Sequence, residues 1–171
     1  MPRILYEERQ GFGWWVYALV GVAALGALLA FALAVMFGGG ESLFVPQNVL
    51  LVLLLAGSVV LVNALYMITR VTDREIFVQF GRVFPVFRAR IPLGDVTDFR
   101  SVQYRPIRDA GGWGIRGGHF EGARCRFYNV KGDRAVFVDT PKRRYIIGSQ
   151  SPERFAAAIE NALTRDEVRR V

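Results

Sequence analysis

The chain has 171 residues, 52% of them apolar, and a formal net charge of +7 at neutral pH. Its one cysteine excludes an intrachain disulfide, and its one histidine, His119, excludes metal sites that need several imidazoles, such as H-E-x-x-H. The length accommodates a membrane anchor and one small soluble domain.

Residues 1–10 set Arg3 and Arg9 against Glu7 and Glu8 and read as a charge-balanced flank. Gly11 to Phe37 and Val49 to Thr69 follow, two stretches without Asp, Glu, Lys or Arg. A hydrocarbon core about 30 Å thick needs roughly 20 apolar helical residues to cross it, and both stretches reach that length. They predict a two-helix transmembrane hairpin with an external turn over 38–48. Basic residues flank the hairpin (Arg3 and Arg9 before it, Arg70 and Arg74 after it) and none lies between the stretches. Positive charge resists translocation, so both termini are expected in the cytoplasm and the protein in the cell membrane as a multi-pass chain. A cleaved signal peptide fits poorly. The run is too long for an h-region, Glu7 and Glu8 weaken the n-region, and no A-x-A site ends it. The lone Cys125 agrees with a reducing compartment.

Trp14, Trp15 and Tyr17 open the first stretch and Tyr66 closes the second, the places where amphipathic rings favour the headgroup zone. Ala23, Ala27, Ala30 and Ala34 fall on one helical face beside Gly26, with Gly57 and Ala64 as the mating surface on the second helix. Asn63 is the one strongly polar side chain deep in a stretch, and a hydrogen bond between the helices is the expected role, ahead of a conduction path.

From residue 66 the apolar period changes from helical to alternating. Ile76, Val78 and Phe80 alternate with Phe77 and Gln79, and Phe87, Ala89 and Ile91 with Arg88 and Arg90. Phe99 to Tyr104, Cys125 to Val130, Ala135 to Val138 and Tyr145 to Gly148 read as further short strands, separated by Gly- and Asp-containing turns. The spacing predicts an antiparallel meander of about seven strands closing into a barrel or bent sheet. Ser151, Pro152 and Glu153 open a C-terminal helix whose apolar face is Phe155, Ile159, Ala162 and Leu163.

Two apolar stretches, a seven-strand meander and a capping C-terminal helix resemble the bacterial pleckstrin-homology-like (PH-like) membrane proteins. The segments that carry the likeness are Val71 to Glu75, Arg90 to Val96 and Ile147 to Glu153. Gly111-Gly112-Trp113-Gly114-Ile115-Arg116 is similar to a glycine-tryptophan motif of some small members. The resemblance implies a PH-like domain over 70–171 and brings no catalytic residues with it. Between Tyr104 and Ala123 the strand pattern stops, and a long glycine-rich loop is expected. Either Trp113 folds back onto the barrel, or Trp113 and Ile115 form a wedge for a partner or the bilayer, with Arg116 pairing a phosphate or carboxylate.

Catalytic signals are sparse. Cys125 shares a strand face with Phe127 and reads as core, and no G-x-x-x-x-G-K-[ST] loop is present. No catalytic residue, metal or cofactor is expected. Residues 70–171 hold 20 basic and 12 acidic side chains, most of the former arginine. Arg88 and Arg90 share one strand face, and Arg124, Arg126 and Tyr128 another. These arginines read first as a solvated exterior, then as contacts to anionic lipid headgroups, and nucleic acid is not expected. The expected function is a non-enzymatic membrane scaffold whose PH-like domain engages an unidentified membrane or cytoplasmic protein. The alternative is a domain that docks onto anionic lipid at the inner leaflet.

Overall fold

The computed structural model describes residues 3–37 and 46–170. The chain begins in a strand, β1 (Ile4–Gly11), leaves it as helix α1 (Trp14–Phe37), and returns through α2 (Pro46–Ala64) to β2 (Tyr66–Thr72). β1 and β2 pair antiparallel, from Ile4 opposite Thr72 to Gly11 opposite Tyr66. The two helices are thus an insertion between neighbouring strands, and residues before and after them belong to one sheet. This corrects the reading of 1–10 as a flank. Most of the external turn expected at 38–48, namely 38–45, lies outside the described residues.

Among the described residues, one helix, Trp14–Phe37, is long and apolar enough to cross a membrane, and no residue of it is buried. A helix of that kind is a membrane span or a signal sequence, not the core helix of a soluble domain. The second helix is shorter and ends at Ala64, not at Thr69. The reason lies in the ladders: Tyr66 to Thr72 pairs with β1 on one side and β3 (Glu75–Phe80) on the other, and Met67 and Val71 are buried in the core. Backbone already paired on both sides cannot continue a helix. Tyr66 is therefore a strand residue at the helix–sheet junction.

α1 and α2 pack along each other. Beyond Val16 and Tyr17 at its start, the half-buried residues of α1 are Val20, Ala24, Ala27, Phe31 and Ala34, spaced alternately by four and three, and on α2 Leu51, Leu55 and Ser58 are likewise half-buried. The expected alanine face is half right, since Ala23 and Ala30 point outward. Gly26 and Gly57 have nothing within 4 Å of where a Cβ would sit, so neither marks a close helix approach.

The first sheet runs β1-β2-β3-β4, with β4 at Phe87–Pro92. The second runs β5-β8-β9-β7-β6 and contains Asp98–Gln103, Arg134–Asp139, Arg144–Gly148, Ala123–Asn129 and Gly114–Phe120 in that order. β7 and β9 are parallel, so the second sheet departs from the expected meander. A short helix, α3 (Pro106–Ala110), and β6 occupy the segment expected as a loop. The glycines of β6 hide its strand character. Gly118 lies so close to α3 that a Cβ would meet the Asp109 carbonyl oxygen at 2.0 Å, so only glycine lets that helix seat.

The main core fills the space between the sheets and is closed by α4 (Pro152–Arg170), which inserts Phe155, Ile159 and Ala162 against Met67, Val71, Ile76, Val136 and Ile147. A second, smaller core on the opposite face of the five-stranded sheet gathers Tyr104, Ala110, Cys125, Phe127, Phe137 and Ile146 under α3. Two covered faces explain why Ala135 to Val138 of β8 and Tyr145 to Ile147 of β9 read as continuous apolar runs.

Candidate functional site

The helix–sheet junction concentrates exposed apolar side chains and a hydrogen-bonded loop. The connection between β3 and β4 is Gly81-Arg82-Val83-Phe84-Pro85-Val86, in which Val83 is 85% exposed, Phe84 42% and Val86 49%. Gly81 makes the bend at φ +107°, where a Cβ would strike the Phe84 carbonyl oxygen at 2.1 Å. Its amide donates to the Tyr66 carbonyl at 2.8 Å, and the Val86 amide to Phe80 at 2.9 Å. What fixes the tip is Asn63, in the last turn of α2 and only 6% exposed. Its Oδ1 accepts from the Val83 amide at 2.7 Å and the Phe84 amide at 3.4 Å, while its Nδ2 donates to the Phe84 carbonyl at 2.7 Å. Asn63 therefore joins a helix to a loop, and not helix to helix as the sequence suggested. The outcome is an exposed apolar loop clamped beside the end of an apolar helix pair.

Arg82 lies over the Tyr66 ring, 5.6 Å from its centroid. Tyr17 crosses from α1 and donates its hydroxyl to the Leu65 carbonyl at 3.0 Å. Between these groups and the helices runs a groove of about 1300 Å³, lined by Tyr17, Val20 and Ala24 of α1, Leu55, Val59 and Val62 of α2, and the loop.

The outer face of the first sheet climbs away from this junction in rows. Pairing places Arg9, Ile68, Gln79 and Arg88 in one row and Glu7, Arg70, Phe77 and Arg90 in the next, about 7 Å further on. Glu7 bonds both Arg70 and Arg9 at 2.6 Å, and the Arg70 contact chiefly holds its carboxyl below the usual range. Arg90 lies 3.8 Å from Glu75 and 5.8 Å from the Phe77 ring centroid. Arg88 is exposed on the row nearer the helices.

The seven side chains singled out in the sequence do not form one patch. Arg88 and Arg90 stand on the first sheet, and the other five on or beside β6 and β7 of the second. Arg124 and Arg126 share the face of Tyr128, which is part of the main core, and the Arg126 Nε is buried without a hydrogen-bond partner. Arg116 lies on the opposite face, opposite Phe127, and its Nε donates to the Trp113 carbonyl at 3.2 Å. Ile115 packs against the main core, so it cannot be part of an exposed wedge. Trp113 remains 38% exposed while its Nε1 donates to the Gly132 carbonyl at 3.3 Å. Burial raises the pKa of the Cys125 thiol, which disfavours thiolate chemistry there. Among the described residues no group of three or more His, Cys, Asp or Glu could hold a metal ion.

Two features are not evident from the sequence. Arg82 reads there as a turn residue, although the apolar run Val83-Phe84-Pro85-Val86 after it is an available signal. Glu8 reads as flank charge, yet it ties β1 to the second sheet. Its carboxylate accepts from the Tyr6 hydroxyl at 2.6 Å, the Ser149 hydroxyl at 2.6 Å and the Gln150 amide at 2.7 Å. Beside it, Gln10 donates to the Gly148 carbonyl at 2.8 Å, and Tyr6 stacks on Phe155 with centroids 5.3 Å apart. These contacts account for the Ile147 to Glu153 segment: it is where the second sheet and α4 receive β1.

A family model described as "Protein of unknown function (DUF3093)" matches residues 5–159. No curated protein and no solved structure matches the chain. The matched range begins in β1 and ends in α4, taking in the helical insertion and both sheets together, and the chain accordingly belongs to the DUF3093 family.

Proposed function

We propose that this is an integral membrane protein whose two helices cross the bilayer and whose sheet domain, PH-like in character, is seated on the cytoplasmic leaflet as a non-enzymatic module that docks to anionic lipid. The observation that carries the proposal is the Val83-Phe84-Pro85-Val86 tip, held exposed beside the helix ends by Asn63. Water offers such a tip no reward, whereas an interface lets the apolar side chains enter the acyl boundary. Arg82 at the tip, and Arg9 and Arg88 on the first row above it, would then lie within about one Debye length of the headgroups, each contributing on the order of 1 kcal/mol.

The pairing of β1 with β2 supports the topology. Both ends of the insertion return to one sheet, so helices that cross must leave both flanks on the same side. The basic flanks favour the cytoplasmic side. Removal of α1 as a signal sequence would take β1 with it, stripping the sheet of an edge and Ser149 of its Glu8 contact. α2, at 19 residues, extends about 28 Å, close to the core thickness.

The test uses the full chain in nanodiscs of neutral or phosphatidylglycerol-containing lipid. Amide exchange over Phe87–Pro92 should slow in the anionic discs at low salt. Both high salt and the R88E/R90E variant should remove that protection. Exchange that ignores lipid charge and salt would refute electrostatic docking.

One observation favours protein scaffolding as a second reading. Among the described residues β6 ends the five-stranded sheet as an unpaired edge, with Arg116 on it and Trp113 just before it, which is the geometry for accepting a partner strand. Crosslinking from this edge in the native membrane would capture a protein under that reading and none without it.

A further inference from the structure

The groove at the helix–sheet junction is apolar along the helices and has a cation, Arg82, in its lining. Its walls are largely apolar along α1 and α2, and the Ser58 hydroxyl on α2 turns back to donate to the Leu54 carbonyl at 2.8 Å. α2 lines it from Val52 to Asn63, about 16 Å of helix rise and so about half of a bilayer core. Among the described residues no acidic side chain lines it. At its mouth the Asn63 amide is consumed by the loop and the Tyr17 hydroxyl by Leu65, which leaves Arg82 as the cation facing the opening. Among the described residues no carboxylate pairs with Arg82; its contact is the face of Tyr66.

From this apolar slot with a single cationic rim we infer that the groove binds one anionic phospholipid, its phosphate on Arg82 and an acyl chain between α1 and α2. The inference rests on the reading that both helices lie in the bilayer. It differs from docking of the sheet face in that a particular lipid molecule is held, and not a surface charge. Guanidinium suits the phosphate because it offers forked donors, and the Tyr66 ring beneath it restricts its orientation.

The test is native mass spectrometry of the full chain in mild detergent, titrated with phosphatidylglycerol or phosphatidylcholine of matched acyl chains. The expected result is one retained phosphatidylglycerol per chain in preference to phosphatidylcholine. R82E should weaken that preference roughly fivefold, in line with one headgroup contact, while R82K, which keeps the charge but not the forked donors, should weaken it less. Gly21 lines the groove with nothing within 4 Å of where a Cβ would sit, so a side chain can start there freely and G21F should obstruct the slot and lower retention of both lipids. Equal retention of the two lipids, or indifference to both R82E and G21F, would overturn the site. R88E/R90E separates the readings, because it should abolish salt-sensitive docking and leave the retained lipid in place.

Discussion

The Nδ2 of Asn63 donates to the carbonyl of Phe84 at 2.7 Å, and this bond couples the last turn of an apolar helix to the tip of a sheet loop. With the two bonds from the Val83 and Phe84 amides it makes a three-point clamp. The orientation of the sheet domain relative to the helices is therefore fixed by a hydrogen-bonded side chain as well as by the short connections at Gly11–Trp14 and Ala64–Tyr66.

Removing the clamp should loosen the loop first. Asn63→Leu removes three hydrogen bonds to the Val83 and Phe84 backbone, each worth about 1 kcal/mol net in a loop that is only part-buried. The expected outcome is faster amide exchange at Val83 and Phe84, with β2 and β3 unchanged at short times. Unaltered protection at Val83 would mean that the clamp is dispensable.

Glu8 holds β1 to the junction of β9 and α4 through three acceptor contacts. Glu8→Ala should cost on the order of 2–3 kcal/mol, since bonds to a charged acceptor exceed neutral ones. Denaturant unfolding of the full chain in detergent reads the shift. Arg9→Ala, which loses an exposed contact to Glu7, should change stability far less.

Stability should fall in alkali. Burial is the main cause that pushes the Tyr6 hydroxyl up to about 12, and the neighbouring Glu8 adds to it; burial likewise pushes Tyr104 up to about 12. In the unfolded chain both would ionise near 10. The folded state then holds more protons between about pH 10 and pH 12, so its stability is intact below 10 and lost as pH rises through that window. Tyr6→Phe should flatten part of the loss. Ultraviolet titration of tyrosinate with parallel unfolding measurements checks both statements.

Two adjacent glycines should behave differently. Gly118→Ala drives a methyl into the Asp109 carbonyl at 2.0 Å and must lift α3 from the second core, whereas Gly117 has open space around its Cβ position. Trp113, close in sequence to α3 and bonded to Gly132, should report the displacement through its fluorescence in G118A and stay unchanged in G117A.

The sequence carried the parts of the fold whose pairing is local. The alternation of Ile76, Val78 and Phe80 matches the buried face of β3, and Phe87, Ala89 and Ile91 match that of β4, because these strands are joined by one short loop. Pro152 does open α4, with Phe155, Ile159 and Ala162 facing the core. β1 is illegible because its partner lies beyond two helices and its outward residues are charged, so it looks like a tail. β6 is illegible because Gly117 and Gly118 replace the apolar residues that signal a strand, and α3 is too short to show a helical period. Asn63 is visible as an anomaly. Its partners are not, since nothing local shows that the 81–86 loop folds back to the end of α2.

The seating of the sheet domain on the bilayer is tested most directly by depth. Phe84→Cys in a Cys125→Ala background would be labelled with bimane, and the full chain reconstituted in vesicles containing lipids brominated at defined depths. Ile107→Cys, on exposed α3, serves as the reference. The account predicts strong quenching at position 84 by bromines high on the acyl chains and none at 107. A label at 84 that is no more quenched than one at 107 would contradict it.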